Sequence, residues 1–283
     1  MPSANVTFKR SSMNHRAQKK WGQNFLKDAT IPQKIIHSLP LGDDAFVYIE
    51  IGPGKGALTE ALLTLNHPVV AYEIDGQLES HLKTRFSGVD HFHLIMDDFL
   101  KRDIESDLKA LGFFKQPLHI VANLPYYITT PIIRKCLDLT HIASLTIMVQ
   151  DEVAKRLAAE PSTRDYGALS VISQYYADIH YLFQVPPHAF SPAPKVHSAV
   201  IQMSMKKTRR LDPLVEPQFN QFIYQCFKQK RKTLVNNLQA EYPQAKAILL
   251  DYLNDQGLNP QSRAEALNLN HLLTLFQKIT MDG

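Results

Sequence analysis

The sequence predicts an α/β domain built on a seven-stranded, mostly parallel sheet, followed by a small all-α domain. Two observations carry this expectation. Between residues 31 and 205, short apolar runs alternate with helix-patterned segments, as in sheets covered by helices on both faces. Beyond residue 216, every periodic segment has the spacing of a helix and none has that of a strand.

Each predicted strand is a short apolar or β-branched run bounded by turn-forming residues. The seven runs are Phe46–Ile51, Pro68–Ile74, Phe92–Met96, Leu118–Ala122, Ser144–Val149, Ile179–Val185 and Ala199–Met205. The connection between the last two is proline-rich and too short for a helical crossover. We therefore expect these two strands to form an antiparallel pair at the edge of the sheet.

Helices are predicted where apolar residues recur at helical spacing. The segments concerned are Ile31–Leu39, Ala57–Leu65, Gln77–Phe86, Pro131–Leu139, Glu152–Ala159, Ala168–Tyr176, Phe219–Lys230, Lys232–Gln239, Ala245–Asp255 and Leu269–Ile279. The pattern divides the chain into a flexible basic segment (1–18), an α/β domain (19–206) and a helical domain (207–283).

Composition favours a folded, cytoplasmic protein. The 283 residues are 45% hydrophobic and 20% charged, and no apolar run is long enough for a membrane helix or a signal peptide. The basic, acid-free start is also compatible with an organelle transit peptide, but it lacks a clear apolar face. Cys136 and Cys226 are far apart, which indicates no disulfide and a reducing compartment.

We expect neither a metal site nor a coiled-coil partner. The twelve histidines lack metal-ligand spacing, and the alternating pair His91 and His93 fits a solvent-facing strand better than a metal pair. No sustained apolar heptad is present, so the expected oligomeric state is a monomer.

A glycine-rich turn marks the predicted cofactor site. Glu50-Ile51-Gly52-Pro53-Gly54-Lys55-Gly56 lies between the first strand and the next helix, where glycines permit a tight turn and close approach of a ligand to the backbone. Glu73 ends the second strand, where an acid accepts hydrogen bonds from ribose hydroxyls; Asp75 is the nearby alternative. Asp98 ends the third strand and is expected to accept from an adenine amino group.

A second motif, Asn123-Leu124-Pro125-Tyr126, ends the fourth predicted strand. The oxygen of Asn123 and a main-chain carbonyl on the Pro125 side would accept the two N–H groups of a base amine. These bonds align best as the nitrogen becomes pyramidal, so they favour the transition state. Tyr126 would stack on the base. The pattern predicts methyl transfer from S-adenosylmethionine to a nucleobase amine that is single-stranded or flipped out.

Basic residues cluster in two places, which favours contact with phosphates. The first 27 residues contain six lysines and arginines and no acid. The second cluster lies between Lys206 and Leu238, and from it we take as RNA-binding candidates Lys228, Lys230, Arg231 and Lys232.

Further segments share the resemblance that the glycine-rich and Asn-Leu-Pro-Tyr motifs carry: Gly22-Gln23-Asn24-Phe25-Leu26, Gln150–Leu157, Tyr166-Gly167-Ala168-Leu169-Ser170, Val185–Val196 and Arg231-Lys232-Thr233. Together they resemble the small-subunit ribosomal RNA adenine dimethyltransferases of the kasugamycin-resistance type. The resemblance covers about 250 residues. It implies a Rossmann-like class I methyltransferase domain and a helical domain that touches RNA. It also implies dimethylation of two adjacent adenosines near the 3′ end of small-subunit rRNA, within an assembling small subunit.

The resemblance adds residue roles. Positions that match the family's cofactor contacts are Asn24, Leu26, Gly52, Glu73, Asp98 and Asn123. Phe190 matches an aromatic that stacks on the target base opposite Tyr126. Trp21, Tyr127, Asp151 and His197 depart from the family's common residues, which leaves the finer substrate contacts open.

Two other interpretations stay open on sequence alone. One is the related large-subunit rRNA methyltransferase of macrolide resistance. Leu124 and the segment Val185–Val196 favour the small-subunit enzyme over it. The other is a non-catalytic RNA-binding or transcription factor, which would not need to retain Asn123 and Glu73. A role in small-subunit assembly is compatible with catalysis.

Overall fold

A computed structural model describes residue 18, residues 21–40 and residues 45–280 of the chain. Apart from Gln18, the predicted flexible segment 1–18 lies outside the described residues, and so do Lys19 and Lys20. The predicted strands and helices otherwise fall within the part of the chain that the structure describes.

Nine strands form two sheets. They are β1 (Phe25–Leu26), β2 (Val47–Ile51), β3 (Val69–Glu73), β4 (Phe92–Met96), β5 (Leu118–Asn123), β6 (Ile142–Gln150), β7 (Ala177–Val185), β8 (Phe190–Ser191) and β9 (Ser198–Met205). The seven predicted strands form the main sheet in the order β4-β3-β2-β5-β6-β9-β7. The pairings from β4 to β6 are parallel, and β9 is antiparallel to β6.

The prediction that the last two strands pair at the edge of the sheet, with an antiparallel strand joining the parallel ones, is confirmed: β9 and β7 are neighbours at one end of the sheet, and β9 runs antiparallel to β6. The antiparallel strand β9 lies one position in from the edge, between β6 and β7. The burial of the two strands fits this order. Most of β9 is buried, whereas β7 is buried only at its two ends and is exposed or half-buried between them, as suits an edge strand.

Eleven α-helices are found among the described residues. They are α1 (Thr30–His37), α2 (Ala57–Leu63), α3 (Glu79–Arg85), α4 (Ile104–Ala110), α5 (Thr129–Leu137), α6 (Asp151–Leu157), α7 (Ala168–Tyr176), α8 (Glu216–Cys226), α9 (Leu234–Leu238), α10 (Ala245–Asp255) and α11 (Leu269–Thr280). All ten predicted helices are present.

Sequence reasoning missed helix α4 and the small sheet of β1 with β8. Asp103 caps α4 by accepting from the backbone N–H of Ser106 at 3.1 Å, a capping signal that the surrounding charged residues obscured. The strands β1 and β8 have two residues each, too few to show any periodicity. Their pairing is long-range, with Phe25 opposite Ser191 and Leu26 opposite Phe190.

The contacts divide the chain into two compact units. The first comprises Met1–Ala154 and His180–Met205, and the second comprises Lys155–Ile179 and Lys206–Gly283. This division differs from the sequence-based boundary at residue 206, because helix α7 packs with the C-terminal helices. Tyr175 of α7 donates a hydrogen bond to Glu216 of α8 at 3.0 Å, and both groups are buried.

The first unit has its site at the carboxyl ends of β2, β3 and β5. Ile51 pairs with Tyr72 on one side and with Ala122 on the other, so the residues that follow these strands meet at one edge of the sheet. A parallel α/β sheet binds its ligands in the crevice at this edge. Beneath it, apolar side chains of α1, α2, α3 and the central strands form one hydrophobic core.

Candidate active site

An open cavity lies at the carboxyl edge of the sheet in the first unit. Three segments line it: Trp21–Leu26, the glycine loop from Gly52 to Lys55, and Asn123–Tyr126. Glu50, Glu73 and Ile74 complete most of the wall. The two motifs singled out in the sequence therefore face the same space, and the segment before the first helix covers it as predicted.

The glycine loop is shaped by close packing as well as by its backbone angles. Gly54 has a φ of +58°, and a Cβ there would lie 3.0 Å from the ring of Phe25. Gly56 has a φ of +81°, and a Cβ there would lie 2.7 Å from the ring of Phe86. Glycine at both positions lets the loop pass under the covering segment and start helix α2.

Glu73 is buried at the end of β3 and is held against the glycine loop. Its Oε2 accepts the backbone N–H of Gly54 at 3.0 Å, and its Oε1 accepts the backbone N–H of Asp75 at 2.9 Å. Burial raises the pKa of Glu73, and these two hydrogen bonds oppose the shift. A carboxylate oxygen has two lone pairs, so Glu73, which lines the cavity, has acceptor capacity beyond these two bonds.

Asp75 has a different task from Glu73. Its Oδ2 accepts from Nε2 of Gln23 at 2.9 Å, and its Oδ1 accepts from the backbone N–H of Gln77 at 3.2 Å. The carboxylate thus ties the covering segment Trp21–Leu26 to the end of β3. This supports Glu73, and not Asp75, as the group that meets a ribose.

Asn123 is the last residue of β5 and is oriented by the covering segment. Its Nδ2 donates to the main-chain carbonyl of Asn24 at 3.1 Å. Among the described residues, none donates to Oδ1. The side chain is therefore fixed with its acceptor atom left for a ligand.

The carbonyl of Pro125 closes a turn, whereas that of Leu124 does not. Pro125 accepts from the backbone N–H of Ile128 at 3.2 Å and from Oγ1 of Thr129 at 3.3 Å. No group in the described part of the chain donates to the carbonyl of Leu124, the residue that precedes the proline. The main-chain carbonyl beside Pro125 that can still accept from a base amine is therefore that of Leu124.

The two predicted stacking aromatics differ in exposure. The ring of Tyr126 lines the cavity, and its hydroxyl shares a hydrogen bond with Oγ of Ser198 at 2.8 Å. Burial raises the pKa of the Tyr126 hydroxyl. Phe190 is only 2% exposed, belongs to the hydrophobic core and is not among the residues that line the cavity. Tyr127, by contrast, is 58% exposed beside Gly22.

Of the remaining predicted cofactor residues, Asn24, Leu26 and Gly52 line the cavity and Asp98 does not. Asp98 follows β4, where its Oδ1 accepts from the backbone N–H of Leu100 at 3.0 Å. It lies near the exposed ring of Tyr127, whose pKa is raised first by burial and then by the charge of Asp98.

The four predicted RNA-binding residues lie in the second unit, on the loop between α8 and α9. The side chains of Lys228, Lys230, Arg231 and Lys232 are all exposed. None forms an ion pair with another described residue. Lys230 differs from the rest, because its Nζ donates to the carbonyl of Arg164 at 3.1 Å.

Sequence reasoning quoted Glu50 within the glycine motif but gave it no role. The structure places it on the cavity wall with 1% exposure, and its Oε2 has no hydrogen-bond partner among the described residues. Burial raises the pKa of Glu50 to about 8, and the charge of Glu73 adds to this shift. A lone acid in the apolar strand Val47–Ile51 was the available signal.

The sheet order, the glycine loop and the acid after β3 define a class I methyltransferase of the Rossmann-like type. An open cavity with two acidic side chains on its wall, beside a glycine loop, fits S-adenosylmethionine, which carries two positive groups and a ribose. The comparisons with known proteins narrow this class to one family. Residues 14–281 match the family model described as ribosomal RNA adenine dimethylase, and the chain belongs to this family.

Relatives and solved structures agree with this assignment. A protein of Onion yellows phytoplasma named ribosomal RNA small subunit methyltransferase A is 40% identical over 269 residues, which is 95% of this chain and 97% of the relative. A protein of the same name from Shouchella clausii is 40% identical over 254 residues, with 89% and 86% covered.

Two solved structures share the fold over most of the chain. A dimethyladenosine transferase from Plasmodium falciparum has a TM-score of 0.72 at 25% identity, with 88% of this chain and 95% of that chain covered. The 23S rRNA methyltransferase ErmE has a TM-score of 0.70 at 25% identity, with 90% and 99% covered. The protein is accordingly an S-adenosylmethionine-dependent rRNA adenine methyltransferase.

Two further observations concern metals and membranes. Across residues 21–40 and 45–280, no group of three or more histidine, cysteine, aspartate or glutamate side chains is placed to hold a metal ion. His91 precedes β4 and contacts the carbonyl of Leu63, while His93 packs on Phe113. None of the described helices has the length and apolar character needed to cross a membrane.

Proposed function

We propose that this enzyme dimethylates two adjacent adenosines near the 3′ end of small-subunit rRNA. The observation that carries the chemistry is the orientation of Asn123, whose Nδ2 is held by Asn24 so that Oδ1 is left for a base amine. The small-subunit substrate is supported by the names of the relatives that are 40% identical. We further propose that it acts as a monomer in the cytoplasm, on a small subunit that is still assembling.

The cofactor-binding residues have separate tasks in this proposal. Glu73 accepts hydrogen bonds from the ribose hydroxyls, and Gly52 allows the cofactor to approach the backbone. Asn24 and Leu26 cover it from the segment before α1. Asp98 accepts from the adenine amino group, a contact that requires its carboxylate to turn toward the cavity edge.

The cofactor supplies an activated methyl group on a sulfonium. Asn123 and the carbonyl of Leu124 hold the two N–H groups of the adenine amine, and these hydrogen bonds strengthen as the nitrogen becomes pyramidal. The residues of the site thereby direct the lone pair of the nitrogen along the line of attack on the methyl group. Among the residues that line the cavity, we assign no general base.

The base is held by aromatic contacts. Tyr126 stacks on the adenine, and its hydroxyl bond to Ser198 fixes the plane of the ring. Stacking of this kind is worth about 1–3 kcal/mol per base. Phe190 serves as the opposite face only if RNA binding moves it out of the core, since it is buried in this structure.

The basic loop between α8 and α9 is proposed to bind phosphates. We expect the triple change Lys228→Gln, Arg231→Gln and Lys232→Gln to weaken RNA binding and to lower its salt dependence, because each lost phosphate contact removes about 0.7–0.9 from the slope of log K against log salt. The measurement is RNA affinity at several salt concentrations.

A matched control for the basic loop carries the same change of net charge elsewhere. The exposed residues Lys109, Lys246 and Lys278, each changed to Gln, serve this purpose. An equal loss of affinity and slope in the control would contradict a specific role of the loop, because it would show that net charge alone drives binding.

The substrate is tested by methyl transfer from labelled S-adenosylmethionine to under-methylated small and large ribosomal subunits, followed by digestion to nucleosides. The proposal expects dimethyladenosine from small subunits and little product from large ones. Transfer to large-subunit RNA alone would favour an activity like that named for ErmE. RNA binding without transfer to either would leave a non-catalytic factor.

A further inference from the structure

Tyr127 is an exposed aromatic residue to which the proposed function gives no task. Its side chain is 58% exposed, more than that of any other phenylalanine, tyrosine or tryptophan in the described part of the chain. It is also one of the positions at which the sequence departs from the residues common in its family. Single exposed aromatics occur on most protein surfaces, so the position of this ring decides what it can do.

The ring of Tyr127 lies on the rim of the cavity, just outside it. Tyr126 and Tyr127 are consecutive residues of one short 3₁₀ turn, Tyr126–Ile128, which comes shortly after β5. Tyr126 lines the cavity, whereas Tyr127 is not among the lining residues. Its ring instead packs on Gly22 of the covering segment, where an added Cβ would lie 3.2 Å from the ring. No described residue forms a hydrogen bond with the Tyr127 hydroxyl, so this residue offers a ligand chiefly the open face of its ring.

The charges beside the ring disfavour a phosphate there. Asp98 lies near Tyr127, and burial and the charge of Asp98, in that order, raise the pKa of the Tyr127 hydroxyl. The ring therefore stays uncharged at neutral pH. Asp98 has a long ion pair, at 3.9 Å, with the exposed side chain of Lys101, and an exposed pair of this kind leaves the acid able to repel an anion. An uncharged ring beside an acid suits the face of a base better than the sugar-phosphate backbone.

The RNA must cross this rim when a target adenosine enters the cavity. The base in the cavity stays joined to the RNA chain, so the nucleotides before and after it leave across the rim. Taking the target out of the stack leaves its neighbour without a stacking partner, which costs free energy. Proteins that hold single strands offset this cost with aromatic side chains on which successive bases stack. Two consecutive tyrosines, one inside the cavity and one at its rim, match this pattern.

We propose that Tyr127 stacks on the base next to the target adenosine in the RNA, while the target itself stacks on Tyr126. The identity of the ligand, a base of RNA, rests on the proposed function. Tyr127 then replaces the stacking that the neighbouring base loses when the target enters the cavity. It is a substrate-binding residue, which holds the RNA and adds nothing to the rate of methyl transfer once the target is in place.

The first test is single-turnover transfer of the first methyl group to under-methylated small subunits by wild type, Tyr127→Ala and Tyr127→Phe, with saturating S-adenosylmethionine. The enzyme concentration that gives half the maximal rate should rise about 5–100-fold in Tyr127→Ala, the usual effect of removing one stacked aromatic. Tyr127→Phe keeps the ring and should stay within about twofold of wild type. The maximal rate should be the same in all three proteins.

The matched control is Phe114→Ala. Phe114 is 51% exposed and precedes β5, so it lies toward the edge of the sheet opposite the cavity, and its loss should leave the half-saturating concentration unchanged. The salt dependence gives a further readout. Tyr127→Ala should weaken subunit binding by the same factor at every salt concentration, because stacking releases no counterions, whereas the change in the basic loop lowers the slope.

The second test removes the neighbouring base and leaves the tyrosine. Small subunits are reconstituted with rRNA whose 3′ part is a ligated synthetic strand, in which one of the two adjacent adenosines lacks its base and the other is the target. Two preparations, one for each adenosine, place the missing base on either side of the target. Wild type and Tyr127→Ala should have the same half-saturating concentration on at least one of them. A full difference on both preparations would overturn the inference.

The remaining outcomes separate this inference from the proposed function. Equal half-saturating concentrations for wild type and Tyr127→Ala on unmodified subunits would overturn it, and so would an effect of Tyr127→Phe as large as that of Tyr127→Ala. An equal loss of affinity for S-adenosylhomocysteine would place the ring on the cofactor or its covering segment, and a loss confined to the maximal rate would assign it to the chemistry; either result contradicts the inference. The proposed function would stand in each of these cases.

Absence of transfer to small subunits by the wild type would overturn the proposed function, and this inference with it. Cooperative thermal unfolding of Tyr127→Ala at the wild-type temperature shows that the variant is folded, as expected for an exposed side chain. A higher half-saturating concentration in such a protein is then a loss of contact with the RNA.

Discussion

Replacing Asn123 by alanine is expected to lower the rate constant of methyl transfer about 10²–10³-fold, the usual cost of removing one preorganised polar group that stabilises a transition state. The Oδ1 of Asn123 is the only side-chain acceptor that we assign to the target amine. The measurement is single-turnover transfer to small subunits with saturating S-adenosylmethionine, so that the chemical step is observed.

Two controls locate the effect of Asn123→Ala in the chemistry. Asn254→Ala removes an exposed asparagine from the second unit and should leave the rate unchanged. Affinity for S-adenosylhomocysteine should fall to some extent, because the side chain also holds the carbonyl of Asn24, but by much less than the rate. If affinity and rate fell by the same factor, Asn123 would be a cofactor ligand alone and its assigned role toward the amine would be wrong.

Replacing Glu73 by alanine is expected to weaken cofactor binding by at least about 100-fold. Two hydrogen bonds from ribose hydroxyls to a carboxylate would be lost, each worth about 1.5–3 kcal/mol. The variant also leaves the backbone N–H groups of Gly54 and Asp75 without their acceptor. Calorimetric titration with S-adenosylhomocysteine measures the affinity. Thermal unfolding shows whether the loss of these hydrogen bonds also lowers the stability of the protein.

The comparison series for Glu73 separates binding from structure. Glu73→Gln keeps one acceptor oxygen and should give an intermediate affinity. Glu79→Ala removes an exposed acid whose partner is Lys83, at 2.6 Å, and should have almost no effect. A Glu73→Ala protein that binds the cofactor normally would show that the ribose is held elsewhere, with Asp75 as the nearest acid.

Strong local signals predicted the elements of the fold. The strand Val47–Ile51 and the helix Ala57–Leu63 are found within two residues of their expected ends, because apolar periodicity reports directly on which face is buried. Helix α4 was missed since its pattern is short and charged. The sequence also did not say which of β9 and β7 is the outermost strand, because that depends on which strand the folded chain covers on both sides.

The site was predicted in part, for the same kind of reason. Gly52, Glu73 and Asn123 each lie at the carboxyl end of a strand in one parallel sheet, so their convergence follows from topology. The burial of Phe190 and the free carbonyl of Leu124 do not follow from any motif. Glu50 was visible as an acid in an apolar strand, but its depth and its unbonded Oε2 are evident only in the folded chain.

The sequence alone determined the class of this protein: its sheet, its glycine loop, its Asn-Leu-Pro-Tyr motif and its family are all readable in short stretches of chain. Only the tertiary structure decided how these stretches act on one another. Gln23 bonds to Asp75, and Asn24 orients Asn123. Such contacts join residues 52 and 99 positions apart, and packing of the folded chain, not local propensity, sets which polar atoms are satisfied and which remain for a ligand.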